Sequence, residues 1–203
     1  VRSIEFSYTI NKINNIIIPS DGYYLRLSST LFGTFLGGER NFFQVNNEFR
    51  KYFSIRSRNI LAFRYKMGYI YNIKKTENLP FYYKYKLGGQ TSLRGWLNTE
   101  QYDDSEGKLI YDMVNLEYRF PLYRKWGGGL FIDTGRLYNQ INDFFDINLS
   151  WNYGVGITYN TAFGPFRIEY AIPYIRSNNY QTTASSSDRT ETGIVHASLL
   201  YMF

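Results

Sequence analysis

The chain has 203 residues, a 20% aromatic content carried mostly by 21 Tyr and 16 Phe, a formal net charge of +6 and no cysteine. Its mean hydropathy is negative, and no apolar run nears the roughly 18 residues a spanning helix needs, so a helical membrane bundle is excluded; so are a disulfide framework and a thiolate metal site. The Lys and Arg residues are scattered rather than clustered with stacking aromatics, so no nucleic acid is expected as a partner, and a basic pore wall or a surface facing anionic lipid accounts for the charge.

The chain opens at Val1 in what already reads as strand, with no secretory leader ahead of it. The expectation is that earlier sequence has been processed away or lies outside this chain. Strands are predicted at 2–10, 22–32, 41–53, 58–73, 108–120, 126–138, 150–160, 164–174 and 190–203. The signal is period two. Leu61, Phe63, Tyr65, Met67, Tyr69 and Tyr71 oppose Ala62, Arg64, Lys66 and Gly68. Trp151, Tyr153, Val155, Ile157 and Tyr159 oppose Asn152, Gly154, Gly156 and Thr158, and Phe166, Ile168, Tyr170, Ile172 and Tyr174 oppose Arg167 and Glu169. The last segment sets Val195, Ala197, Leu199, Tyr201 and Phe203 against His196 and Ser198. Thr134 and Arg136 fall on what should be an apolar face. No segment carries a helical period, and no domain boundary or repeat interrupts the strand–turn rhythm.

Soluble sandwiches and membrane barrels both bury one face, so alternation alone does not separate them. Three features favour a transmembrane antiparallel β-barrel. The segments run about 10 to 16 residues, against about 5 to 6 for an ordinary strand and about 9 to 11 for a membrane strand. Connections alternate short (54–57, 121–125, 161–163) and long (74–107, 139–149, 175–189), as the two rims of an outer-membrane barrel do; the connection at 11–21 breaks this rule. Aromatic residues gather at both ends: Phe53, Phe120, Trp126, Phe163 and Phe203 by the short turns, Tyr71, Tyr138, Trp151 and Tyr174 by the long loops. Arg64, Lys66, Asp112, Glu117, Asp133, Arg167 and Glu169 are assigned to the inner face, and Leu199, Tyr201 and Phe203 to lipid.

The loop at 74–107 is outsized and not composed like a disordered segment. Its Leu79-Pro80-Phe81-Tyr82-Tyr83 and Leu93-Arg94-Gly95-Trp96 stretches carry apolar mass that open water does not favour. Folded into the lumen, Arg94 would meet inward acids, with Glu117 and Asp133 on adjacent strands the candidates; the planar guanidinium suits carboxylates. Spacing alone leaves this reading and that of an exposed loop charge open.

The stretch "LPFYYKYKLGGQTSLRGW" resembles the inward-folded loop of the BamA/TamA-type outer-membrane assembly superfamily, also called the bacterial surface antigen family. The glycine pair Gly88-Gly89 precedes the tetrad Leu93-Arg94-Gly95-Trp96, as in that family's signature. "LFIDTGRLY" matches its Phe-x-Asp-x-Gly strand through Phe131, Asp133 and Gly135, and "VNLEYRFPL" the strand whose glutamate, here Glu117, joins the loop arginine. "GPFRIEYAIPY", "IPSDGYYLRLS" and the terminal Phe203 complete a set of matches in family order across nearly the whole chain. The resemblance implies a 16-stranded barrel behind periplasmic POTRA domains; about nine strands here correspond to the C-terminal part of that barrel, over residues 1–203. Nine strands leave open edges that lipid does not tolerate. The rest of the barrel is therefore expected from a longer polypeptide or another chain.

The function this implies is an integral protein of a Gram-negative outer membrane that inserts β-barrel proteins into that membrane or moves proteins across it. Its partners would be outer-membrane lipids, unfolded outer-membrane proteins as substrates, and accessory lipoproteins bound to POTRA domains. The mechanism would be templating by an opening seam at 190–203, where Gly193 serves either as a gating point or as a plain packing site. The alternative is a two-partner-type secretion pore exporting one dedicated substrate. An enzyme is not expected. His196 is the one histidine, it reads as a lumen-facing polar filler, and no metal-ligand spacing or cofactor motif accompanies it.

Overall fold

The computed structural model describes residues 2–37, 40–56, 58–73, 79–96, 107–145, 149–174, 193–201 and 203. Nine strands form one sheet: β1 (Ser3–Asn11), β2 (Gly22–Phe32), β3 (Phe42–Arg56), β4 (Asn59–Asn72), β5 (Ile110–Pro121), β6 (Trp126–Tyr138), β7 (Ser150–Thr161), β8 (Gly164–Tyr174) and β9 (Ile194–Leu199). Each pairs antiparallel with its neighbour in the chain, from β1 to β9 without a crossover. The all-β expectation is borne out.

Alternation divides the sheet into two chemically distinct faces. Val155, Ile157, Ile168, Leu130, Ile132 and Tyr153 stand exposed on the outer one. Arg64, Asn115, Glu117, Asp133, Asn152, Arg167 and Glu169 are buried on the inner one. Apolar groups left facing outward are what a lipid surface accepts, and buried ions need partners, which the inner face supplies.

Asp112 departs from the expectation. It sits five residues from Glu117, an odd separation, so period two places the two on opposite faces. On the outer face Asp112 pairs with Arg136 at 2.7 Å, opposite it in the β5–β6 register. The Phe144 ring covers that guanidinium at 3.5 Å. This pairing explains how Arg136 is tolerated on an otherwise apolar face.

The final segment departs too. β9 ends at Leu199, Leu200 takes a positive φ of 78°, and the chain turns inward. Leu199 stays on the outer face, 59% exposed, but Phe203 is only 4% exposed. Tyr201 lies over the Arg119 guanidinium at 3.8 Å. Tyr201 and Phe203 therefore do not face lipid: one left-handed residue rotates everything after it out of strand alternation. Of the expected strand at 190–203, residues 190–192 and 202 lie outside the described residues.

Phe203 packs with Tyr52 of β3 and Ala62 of β4. Laid flat, β3 and β9 would be about 29 Å apart at the usual strand spacing, while the residues after Leu199 reach about 14 Å at most. The sheet is therefore strongly curled around its inner face. The connection 12–21 occupies the same end. Asn14 knits it by accepting from the Ser20 and Asp21 amides at 3.1 Å, and its Ile13 joins the Tyr52–Ala62–Phe203 cluster. Its length, anomalous for a short-turn rim, lets it reach over the inner face.

Candidate functional site

The loop between β4 and β5 lies on the inner face and is held at two levels. In the first arm Leu79 packs with Phe42 and Ile70, with Tyr83 against them. The Tyr85 hydroxyl donates to Asn46 Oδ1 at 2.6 Å and accepts from Gln44 Nε2 at 3.0 Å. Burial pushes that hydroxyl's pKa up to about 12.

The second arm is a compact turn. Gly88 and Gly89 have φ of 121° and 77°, values that favour glycine. The Gly89 amide donates to the Trp96 carbonyl at 2.6 Å and closes the turn. Leu93 is fully buried against Leu87, Tyr111, Met113 and Leu137; Gly135 lies beside Leu87, where an added Cβ would come within 3.2 Å. At Gly95 a Cβ would fall 2.6 Å from the Asn152 Cβ and 3.0 Å from the Pro173 nitrogen. Only glycine lets the loop backbone approach β7 and β8 this closely. Trp96 Nε1 donates to the Trp151 carbonyl at 3.3 Å.

Arg94, fully buried, is thereby set among acids. Its Nε and Nη2 donate to Asp133 at 2.9 and 2.8 Å, a bidentate pair, and its own amide donates to the same carboxylate at 3.2 Å. Nη1 donates to Glu117 at 3.0 Å and to Glu169 at 2.7 Å. The Phe131 ring stacks 3.4 Å from the guanidinium carbon. Asn115 and Asn152 donate to Asp133 at 2.9 and 2.8 Å. Two further arginines complete the set: Arg119 donates to Glu117 at 2.7 Å, and Arg167 donates to Glu117 at 2.8 Å and Glu169 at 2.7 Å.

Three guanidiniums thus face three carboxylates in a buried, charge-balanced cluster. Such a cluster persists because every charge has close partners. Burial alone would pull the Arg94 pKa down; Asp133, Glu117 and Glu169 together hold it above its ordinary value.

Of the residues expected from sequence, Gly88, Gly89, Leu93, Arg94, Gly95, Trp96, Glu117, Asp133, Phe131 and Gly135 come together here. Gly193 lies elsewhere, just before β9, where a Cβ would meet the Tyr170 ring at 2.6 Å. Leu199 is remote, and Tyr201 and Phe203 approach the cluster from below, the Phe203 carbonyl accepting from Arg119 at 2.9 Å.

Sequence reasoning missed several partners. Alternation puts Glu169 and Arg167 on the inner face but does not by itself join them to Arg94. Arg64 donates to the Thr91 carbonyl at 3.1 Å and Asn115 to that of Ser92 at 2.8 Å. His196 Nε2 lies 2.7 Å from the Arg94 carbonyl oxygen. Inner parity was the one signal for these residues. Which inner positions meet depends on register and curl.

The family model described as the Omp85 superfamily domain matches residues 2–190. The chain belongs to the Omp85 superfamily. The resemblance read from the loop and strand motifs is thereby borne out. This Omp85 chain is 25% identical over 195 residues to a SAM50-like protein of Schizosaccharomyces pombe, the match covering 85% of the chain and 40% of that protein. It superposes with a TM-score of 0.73 and 19% identity on the crystal structure of BamA from Haemophilus ducreyi lacking POTRA domains 1–3, covering 87% of the chain and 39% of that one. The fold is shared, and the Omp85 chain spans less than half the length of either protein.

Proposed function

We propose that the chain is the seam-bearing part of an outer-membrane assembly barrel, which inserts β-barrel proteins by lending a strand edge to incoming chains. The observation that carries this reading is the state of β9. It pairs with β8 over six residues, from Phe166↔Leu199 to Ala171↔Ile194. The strand that closes the barrel against its other edge lies outside this chain, and parting that seam frees β9 for a new partner. An unpaired edge satisfies the backbone of an arriving strand that would otherwise face lipid unpaired. The buried loop cluster braces the wall behind that edge.

The proposed partners are outer-membrane lipids, unfolded outer-membrane proteins, and lipoproteins bound to POTRA domains elsewhere in the protein. The remaining strands come from the same polypeptide or from a second chain. The proposed location is the outer membrane of a Gram-negative bacterium. No bond-making step is assigned to any residue, and His196 acts only through a hydrogen bond.

The test is an engineered disulfide joining β9 to the strand that closes the barrel against it in the full-length protein. Substrate-barrel assembly should stop under oxidising conditions and return on reduction, with the barrel folded throughout. Undiminished assembly by the tethered protein overturns the reading. A secretion pore would respond in the opposite way: insensitive to the tether, and blocked when a Ser92–Asn115 cysteine pair locks the loop in the lumen.

A further inference from the structure

We propose that His196 is a positioning residue that ties the edge strand β9 to the arginine loop, so that strand and loop are seated or released together. On the inner side of β9 the described contacts place one long-range side-chain hydrogen bond, between His196 Nε2 and the Arg94 carbonyl oxygen at 2.7 Å. A carbonyl only accepts, so Nε2 carries the proton and donates. In register His196 lies opposite Glu169, the β8 carboxylate that accepts from Arg94 Nη1. Arg94 is thus gripped at both ends, its side chain by acids of β5, β6 and β8 and its backbone by β9.

This geometry has a directional consequence. The carbonyls of Thr91 and Ser92 are held by Arg64 and Asn115 on β4 and β5, interior strands of the sheet. The Arg94 carbonyl is held by β9, whose described ladder to β8 runs over six residues. Withdrawing the loop leaves the imidazole N–H without its acceptor, and peeling β9 leaves the carbonyl without its donor. Coupling between two such sites is reciprocal. Loosening either element therefore loosens the other, while β1 at the far edge is untouched.

The effect of this tie on activity rests on the proposed assembly role; the tie itself does not. The experiment uses the full-length protein in lipid, with amide hydrogen exchange read over residues 194–199, 92–96 and, as a control, 3–11. His196→Gln retains a donor at a similar reach, His196→Phe retains volume without a donor, and His196→Ala retains neither. Expected is exchange about five- to ten-fold faster in both 194–199 and 92–96 for the Phe and Ala variants, near wild-type exchange for Gln, and no change at 3–11. Wild-type protection in the Phe variant would reduce His196 to a space filler and overturn the proposal. A rise confined to 194–199 would overturn it as well. If exchange shifts as expected while substrate assembly keeps its wild-type rate, the tie stands and the seam mechanism fails.

Discussion

The two edge strands of the sheet are held by different means. β1 is nine residues long and meets β2 along its whole length, from Ser3↔Phe32 to Asn11↔Tyr24. Its side chains are almost all exposed, and its ion pair with β2, Arg26–Glu5, is long at 3.4 Å and about half exposed on both sides. β9 is six residues long, yet it adds the His196 bond to the loop, and the chain beyond it tucks under Arg119. Within this chain β1 is held by its ladder to β2, whereas β9 adds to its ladder with β8 a set of side-chain contacts gathered around a buried charge cluster. Contacts gathered at one cluster are lost together when a single member is removed, whereas a backbone ladder offers no such single point. Perturbing the cluster should therefore free β9 and spare β1.

The largest expected effect comes from Arg94→Ala, which leaves Asp133, Glu117 and Glu169 buried without their shared counter-ion. Breaking a buried pair from one side costs about 3–5 kcal/mol. Chemical denaturation should show that loss, and hydrogen exchange should rise in β9 and the loop while β1 keeps its protection. Equal loosening of both edges would remove the distinction between them. Arg94→Lys should recover only part, since an ammonium does not reproduce the bidentate grip on Asp133.

Gly95→Ala comes next. The added Cβ has Asn152 and the Pro173 backbone in its way, and overpacking of this kind costs about 1–3 kcal/mol. The loop should lift from β7 and β8 without any charge being removed. Increased protease cleavage within 92–96 would register it, with β9 loosening in proportion.

A smaller effect is expected at the other arm of the loop. Tyr85→Phe removes the hydrogen bonds to Asn46 and Gln44 and should cost about 0.5–1.5 kcal/mol. It also tests a pH dependence. The Tyr85 pKa is raised from 10.0 to about 12 in the folded protein, so its contribution is complete below pH 10 and is lost as pH rises through about 12. Loop exchange corrected for intrinsic rates should climb across that window in the wild type and less steeply in the Phe variant.

The smallest effect is expected at β1. Glu5→Gln removes an exposed pair worth about 0–1 kcal/mol, and exchange in β1 should stay unchanged, with or without added salt. A marked loosening would mean that β1, like β9, is held by side chains.

The strand pattern was legible because it is local. Side chains alternate with each residue, so Val155 and Asn152 declare their faces without reference to the rest of the chain. The same arithmetic, applied strictly, places Asp112 opposite Glu117, where the structure finds it. The Gly88–Gly89 pair and the apolar Leu93 marked a loop that folds back. Parity and adjacency made Glu117 and Asp133 candidates for Arg94 but left an exposed loop charge equally open; the pairing came from the resemblance of the loop and strand motifs to a known family.

Tertiary structure decided the rest. Glu169 became the third acid around Arg94, and Arg119 and Arg167 its balancing cations, because the sheet curls until β5, β6 and β8 face one point. His196 acquired its role only when β9 took its register against β8. Tyr201 and Phe203 went inward because Leu200 adopts a left-handed conformation that no glycine announces. Amino-acid order determines which face each side chain takes, since that follows from the geometry of a single strand. Which of those side chains meet depends on register and curvature, and these are set by the packing of all nine strands together.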